Sequence, residues 1–574
     1  MASYGKINEH EQAKLEASRR TRKRIAIIAI SSIVFVCIVV GAVVGTAANS
    51  NGKKEPSTEG NGNGDSISVS VKAVCDVTLH KEKCFETVGS APNASTLNPE
   101  ELFSYAVQIT LTELTKVLNG FSDREHMDNA TSAAMGACVE LIELAVDQLN
   151  ETMTSLEDHT TSSHKSTVED LRTWLSSVET YQETCMEALV EANNPNSTAF
   201  GETHLKDSTE MTSNALAIIT WLGKIADSIK LNHRRLMATT AEVGTSDLPM
   251  MRARGLLESG DLRKKANIVV AQDGSGKYRT ISEALEEVEE KNEKHTIIYV
   301  KKGVYVENVR VEKKKWNVVM VGDGQSKTIV SGGLNFIDGT PTFQTATFAV
   351  FGKGFMARDM GFRNTAGPAK HQAVALMASA DLAVFYKCTM DAFQDTLYAH
   401  AQRQFYRECD IFGTVDFIFG NAAVVFQNCN ILPRRPMKGQ QITITAQGKK
   451  DPNQNTGISI HNCTISPLDN LADVQTFLGR PWKDFSTTVI MKSFMDGFIN
   501  PKGWLPWVGD TAPDTIFYAE HLNFGPGAST KNRVKWRGLK TFLTKKEANR
   551  FTVKPFIDGK KWLPATKVPF KSDF

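Results

Sequence analysis

The sequence predicts an all-β, right-handed parallel β-helix catalytic domain preceded by an all-α four-helix-bundle pro-domain. Three observations carry this reading. Between about 66 and 235, apolar residues recur at helical spacing and glycine is scarce. From 266 onward, short β-branched and aromatic runs (HTIIYV at 295, WNVVMV at 316, ATFAVF at 346, AVVF at 423) alternate with Gly, Asn and Asp turns. Within that second block one short segment repeats every 20 to 34 residues, the mark of a solenoid.

At 574 residues the chain holds more than one domain. Hydrophobic residues are 41% and charged residues 23%, which excludes a mostly disordered chain and a polytopic membrane protein. The formal net charge of +2 is a cancellation. Residues 1–24 hold 7 basic and 3 acidic residues, 25–265 hold 19 and 32, and 266–574 hold 40 and 29. An acidic block is thus followed by a basic one.

The first 24 residues read as a cytosolic basic tail, ending in Arg19, Arg20, Arg22, Lys23 and Arg24. Ile25 to Val44 carries no charge and is long enough to span a bilayer, so 25–47 reads as a signal anchor, with a cleaved signal peptide as the alternative. In both cases the basic flank stays inside and the rest is translocated. Residues 48–65, rich in Gly, Asn and Ser, form a linker. Sequons at Asn93, Asn129, Asn150, Asn196 and Asn462 agree with the secretory route.

Residues 66–235 form the bundle. Val107, Leu111, Leu114 and Leu118 mark one helix, and Val139, Ile142, Val146 and Leu149 another. Cys75, Cys84, Cys138 and Cys185 all fall here, and an even count in an oxidising compartment implies two disulfides, with Cys75 and Cys84 close enough to staple a helical hairpin. Residues 236–265 read as a processing linker. Its neighbourhood carries Arg234-Arg235-Leu236-Met237, expected after a helix end, and an Arg252-to-Leu257 cluster, both plausible protease sites in an exposed connector.

Residues 266–574 form the β-helix. The repeat runs FMARDMGF, VFYKCTM, FYRECDI, VFQNCNI and SIHNCTI, and aligns Met360, Cys388, Cys409, Cys429 and Cys463. Stacked coils turn these into a ladder of small hydrophobes, with Cys388–Cys409 and Cys409–Cys429 both open to disulfide formation. The same register places Asp395 seven residues after Cys388 and Asp416 seven after Cys409, so the two carboxylates stack one coil apart. Gln372 and Gln394, 22 apart, stack beside them, among Phe393, Tyr398, Phe417 and Phe419. Two close carboxyls cannot both ionise easily, so one stays protonated as a general acid beside a carboxylate nucleophile or base. The chain has no GxSxG elbow, no HExxH and no EF-hand loop, and neither DGSGK at 273 nor GDGQSKT at 322 completes a P-loop. No metal, no cofactor and no nucleic acid is expected.

GVYVE at 303–307, HQAVAL at 371–376, QDTLY at 394–398, ECDIFGTVDFIFGNA at 408–422 and LGRPW at 478–482 closely resemble the plant pectin methylesterases (pectinesterases). The acidic block resembles the pectinesterase-inhibitor four-helix pro-region of that family, whose two disulfides its four cysteines suit. The resemblance implies hydrolysis of the methyl esters of homogalacturonan to pectate and methanol. It assigns Asp416 as nucleophile, Asp395 as acid and then base, and Gln394 with Gln372 as oxyanion donors. Arg480 would hold Asp416 ionised, Trp482 would stack on a sugar ring, and Thr342 would contact substrate. It also implies that Cys409 pairs with Cys429. The implied partners are methyl-esterified pectin, the chain's own pro-region, separate inhibitor proteins, a processing protease and the membrane during secretion; the implied destination is the cell wall. Two other readings remain: a polygalacturonase-like glycosidase or pectate lyase on the same fold, for which close carboxylates also serve, and a catalytically silent wall-binding or inhibitor module.

Overall fold

The computed structural model describes residues 68–121, 128–157, 168–237 and 262–574, with side chains of the last helix of the bundle described to 228. The basic tail, the apolar run, the 48–65 linker and most of the processing linker lie outside the described residues. Among the described residues no helix is long and apolar enough to cross a membrane. Residues 67–574 form one compact unit.

Among the described residues, six helices precede the sheets: α1 (Val69–Cys75), α2 (Lys81–Thr87), α3 (Pro99–Gly120), α4 (Asn129–Glu157), α5 (Val168–Glu191) and α6 (Pro195–Met237). Sequence chemistry sets the start of α3. Asn98 accepts from the backbone N–H groups of Glu100 and Glu101, Glu101 reaches back to the Asn98 N–H, and Pro99 opens the first turn. Val107, Leu114, Ile142 and Leu149 are fully buried, while Leu111, Leu118, Val139 and Val146 sit partly buried around the core they make. The Cys75–Cys84 disulfide closes the α1–α2 hairpin, and Cys138–Cys185 ties α4 to α5. No Gly or Pro interrupts the end of α6, which runs through Met237; Arg234 and Arg235 are therefore in its last turns and not beyond a helix end.

Three parallel sheets of 11, 7 and 8 strands follow, each adding strands in chain order from coil to coil. The repeat has a conformational cause. Asp359, Lys387, Glu408, Asn428, Asn462 and Lys492 all take positive φ, between 51° and 57°. Each turns the corner between two sheets, and the next residue enters the core: Met360, Cys388, Cys409, Cys429, Cys463 and Ser493 are all buried. Strand pairs such as Thr389↔Asp410, Asp410↔Asn430 and Asn430↔Thr464 keep these corners stacked. Inside, Phe385, Tyr406 and Phe426 stack on successive coils with centroids 4.8 and 4.7 Å apart. Each such pair adds roughly 0.5–1.5 kcal/mol beyond its buried area.

The ladder corrects one expectation. Cys409 and Cys429 are free thiols, as are Cys388 and Cys463. The Cys409 thiol points to the Phe385 and Arg407 carbonyls at 3.3 and 3.4 Å, and that of Cys429 to the Tyr406 and Gln427 carbonyls. Each sulfur is engaged by backbone carbonyls at its corner, so the Cys409–Cys429 bond implied by the resemblance is not formed. All five sequon asparagines are exposed; Asn462 also donates to the Asn428 side chain at 2.9 Å.

Candidate active site

Four successive strands of the 7-stranded sheet build the site: Leu397–Ala399, Ile418–Gly420, Ile442–Gln447 and Thr476–Pro481. The pair Leu397↔Ile418 makes the first step 21 residues, which puts Asp395 and Asp416 at equivalent positions just before their strands. Both adopt left-handed backbone, with φ of 60° and 49°. Aspartate tolerates this conformation better than most residues, and strained backbone of this kind gathers at functional sites. Both are nearly buried, at 7% and 6% exposure.

Arg480, on the fourth strand, grips Asp416 as a fork: Nε reaches Oδ1 at 2.9 Å and Nη2 reaches Oδ2 at 2.6 Å. The Trp507 ring covers the guanidinium, 4.2 Å from its centroid. Thr443, on the third strand, donates its hydroxyl to Asp416 Oδ1 at 2.5 Å and accepts the Asp416 N–H at 2.9 Å. Asp395 has a different environment. Burial first, then the charges of Asp416 and Glu191, push its carboxyl well above the usual range, with Arg480 opposing. One acid is thus gripped by a cation and the other is held towards its protonated form.

Gln372, Gln394, Thr342, Arg480 and Trp482 line the same cavity as the two aspartates, with a volume of about 440 Å³. Thr342 is 7% exposed. Phe419 stacks on Tyr398 at 4.1 Å and approaches Trp482 at 6.0 Å, which gives the cavity an aromatic wall. The sequence reading did not single out Thr443. The register Ile418↔Thr445 puts it opposite Asp416, but that coil is 27 residues long and breaks the 21-residue period.

The other wall of the cavity belongs to α5. Glu183, Glu187 and Glu191, four residues apart, lie on one helix face and reach the β-helix. Glu183 accepts from Lys483 at 2.6 Å and Lys450 at 2.7 Å, Glu187 pairs with Lys483 at 2.7 Å, and Glu191 accepts the Thr342 N–H at 3.0 Å. Further along the contact, Arg403 pairs with Asp170 of α5 at 2.8 Å and with Asp381 at 2.7 Å. Arg310 pairs with Glu140, and Gln402 donates to Gln148 at 2.8 Å. Thr184 sits 2.9 Å from His400, whose burial pushes its pKa down to about 3. Burial pushes Glu187 up to about 7, while Lys483 and Lys450 outweigh burial at Glu183 and hold it below the usual range.

Comparison with known proteins agrees with both halves. The family model described as pectinesterase matches residues 267–560, and that described as plant invertase/pectin methylesterase inhibitor matches 69–218. The chain is 82% identical, over the full length of both, to probable pectinesterase/pectinesterase inhibitor 46 of Arabidopsis thaliana. It is 46% identical to pectinesterase 3 of Phaseolus vulgaris, over 99% of this chain and 98% of that one. Among solved structures, the pectin methylesterase from carrot matches 54% of this chain and 98% of its own with a TM-score of 0.53 and 51% identity. These likenesses favour the esterase over the glycosidase, lyase and silent-module readings, and the chain belongs to the pectinesterase family, its β-helix preceded by an inhibitor-family bundle.

Proposed function

We propose that the protein hydrolyses the methyl esters of homogalacturonan with Asp416 as nucleophile and Asp395 as acid and base, and that its bundle suppresses this until it is removed. The observation that carries the reading is the asymmetry of the two carboxyls: Asp416 is gripped by the Arg480 fork, while Asp395, one coil away, is pushed up by burial and like charge. A carboxylate oxygen of Asp416 attacks the ester carbonyl carbon. The oxyanion that forms accepts N–H groups from Gln394 and Gln372. Collapse breaks the bond to the methoxy oxygen, which takes the Asp395 proton and leaves as methanol. Asp395, now a carboxylate, takes a proton from water as that water attacks the acyl-enzyme, and the galacturonate carboxylate is released with Asp416 restored. Thr342 and Trp482 hold the sugar chain.

The bundle suppresses the reaction by occupation. Glu183, Glu187 and Glu191 form one wall of the catalytic cavity and engage groups that face it. Cutting within or next to the 236–265 segment, most of which lies outside the described residues, releases the basic β-helix into the wall. The apolar run at 25–47 brings the chain to the secretory route, where the five exposed sequons receive sugar. Asp416→Asn tests the chemistry: methanol release from methylated pectin falls by about 10⁴-fold or more, since nucleophile loss is of that order. A folded variant with wild-type release sinks the assignment. Comparison of the full chain with the 262–574 portion tests the suppression; equal activity refutes it.

A further inference from the structure

Lys450 and Lys483 stand one coil apart. Lys450 follows the strand Ile442–Gln447 and Lys483 the strand Thr476–Pro481, and Gln447 pairs with Pro481. Lys483 lines the catalytic cavity beside Trp482, with its Nζ 5.2 Å from that ring. The Lys483 side chain is only 18% exposed. The two ammonium groups converge on a single carboxylate: Glu183 Oε1 meets Lys483 at 2.6 Å and Oε2 meets Lys450 at 2.7 Å. Among the described residues, every carboxylate that pairs with either lysine comes from α5. When the bundle leaves, these ion-pair partners leave with it, and the β-helix keeps two neighbouring cations at the edge of its reaction cavity. Such a pair is a site for an anion.

The substrate supplies one. A partly hydrolysed homogalacturonan carries an ester on some units and a free carboxylate on others. We propose that Lys450 and Lys483 form a carboxylate subsite for a de-esterified galacturonate unit of the chain whose ester is being cleaved, and that Glu183 fills this subsite in the unprocessed protein. The inference rests on the esterase reading and deepens it. Trp482 stacks on a sugar, and the two lysines next to it read whether a unit of that same chain is acid or ester. A neutral methyl ester cannot satisfy two ammonium groups, so the subsite favours substrate that already carries acid. Each turnover makes another unit that suits it.

The test uses the 262–574 portion, because the solved carrot chain, matched over 98% of its length by 54% of this chain, is a folded unit of that size. Methanol release is measured on fully esterified and on half-esterified homogalacturonan, and binding of an unesterified galacturonate oligomer is measured by calorimetry. The wild type has the higher kcat/KM on the half-esterified polymer. The double variant Lys450→Gln/Lys483→Gln loses about tenfold more on that polymer than on the fully esterified one, the size of one charged hydrogen bond. Its oligomer Kd rises by about the same factor, while Lys483→Arg keeps both properties. Equal losses on the two polymers, or an unchanged oligomer Kd in the double variant or in the single variant Lys450→Gln, overturn the subsite. A wild type that releases no methanol from either polymer refutes the esterase reading instead, and the oligomer titration still reads the lysines.

Discussion

Glu183→Gln in the full-length chain removes the one charge of the docked bundle that, among the described residues, bridges Lys450 and Lys483. The Glu183 side chain is 16% exposed and bridges two cations. Removing one partner of a buried ion pair costs about 3–5 kcal/mol, because the other charge is left uncompensated. Here the loss is partly offset. Glu187 still holds Lys483 at 2.7 Å, Lys450 is 48% exposed and can turn to water, and the glutamine oxygen remains an acceptor. A loss of about 2 kcal/mol remains, or about a thirtyfold shift from docked to undocked. The assay is methanol release from the intact chain, with gels to show that no cleavage has occurred. Activity should rise by about that factor, up to the ceiling set by the free 262–574 portion. Glu113→Gln is the control, since its pair with Lys116 lies within one helix and the lysine is 68% exposed. If Glu183→Gln is no more active than Glu113→Gln, the glutamate clamp does not hold the bundle down.

Thr443→Val removes the hydroxyl that donates to Asp416 and accepts its N–H, at a cost of about 1–3 kcal/mol; kcat should fall by about ten- to a hundredfold, and the melting temperature should fall by only a few degrees, so the folded variant can be assayed. Arg480→Lys keeps the charge and loses the fork, so kcat should fall more than KM rises, read by steady-state kinetics on one pectin. Docking should weaken as pH rises. The docked state raises Glu179, Glu187 and Glu191, Glu187 to about 7 against an ordinary 4.5, so docked protein binds more protons across that window and loses stability as pH climbs through it. His400, pushed down to about 3, Lys449, pushed down to about 8, Lys313, also pushed down, and Glu183, held low, act in the opposite sense. Between about pH 5 and about pH 7.5 Glu183 stays ionised and the two lysines stay mostly charged in both states, so His400 alone opposes the raised glutamates there. After a cut in the connector, more bundle should co-elute with the β-helix at about pH 5 than at about pH 7.5, and the reverse order refutes the sign.

Much of the fold was legible because the β-helix repeats its own geometry. Each corner needs one left-handed residue followed by one that fits the core, and that leaves a mark every coil. The 21-residue step from Asp395 to Asp416 matches the pairing Leu397↔Ile418. The 22-residue step from Gln372 to Gln394 does not: Leu376 pairs with Leu397, so the glutamines are one residue out of register, though both still line the cavity. Thr443 was hidden by a long turn between strands, which no period predicts. The cysteine pairing came from resemblance alone, and the backbone carbonyls engaging the Cys409 and Cys429 thiols are not visible in a sequence.

The opposed charges of the two blocks were legible as totals, but totals do not say where the charge acts. In the structure they meet as a few close pairs: Glu183 with Lys450 and Lys483, Glu187 with Lys483, Asp170 with Arg403, and Glu140 with Arg310. Long-range attraction between the blocks speeds their encounter and is screened by salt, whereas these close pairs fix the register in which they meet. The distinction bears on release. A cut in the connector changes neither the close pairs nor the sum of charges; it removes only the tether and with it the high effective concentration of the bundle. The freed bundle then leaves the cavity at a rate set by these pairs and by pH, and a polymer rich in free carboxylates competes with Glu183 for the same two lysines.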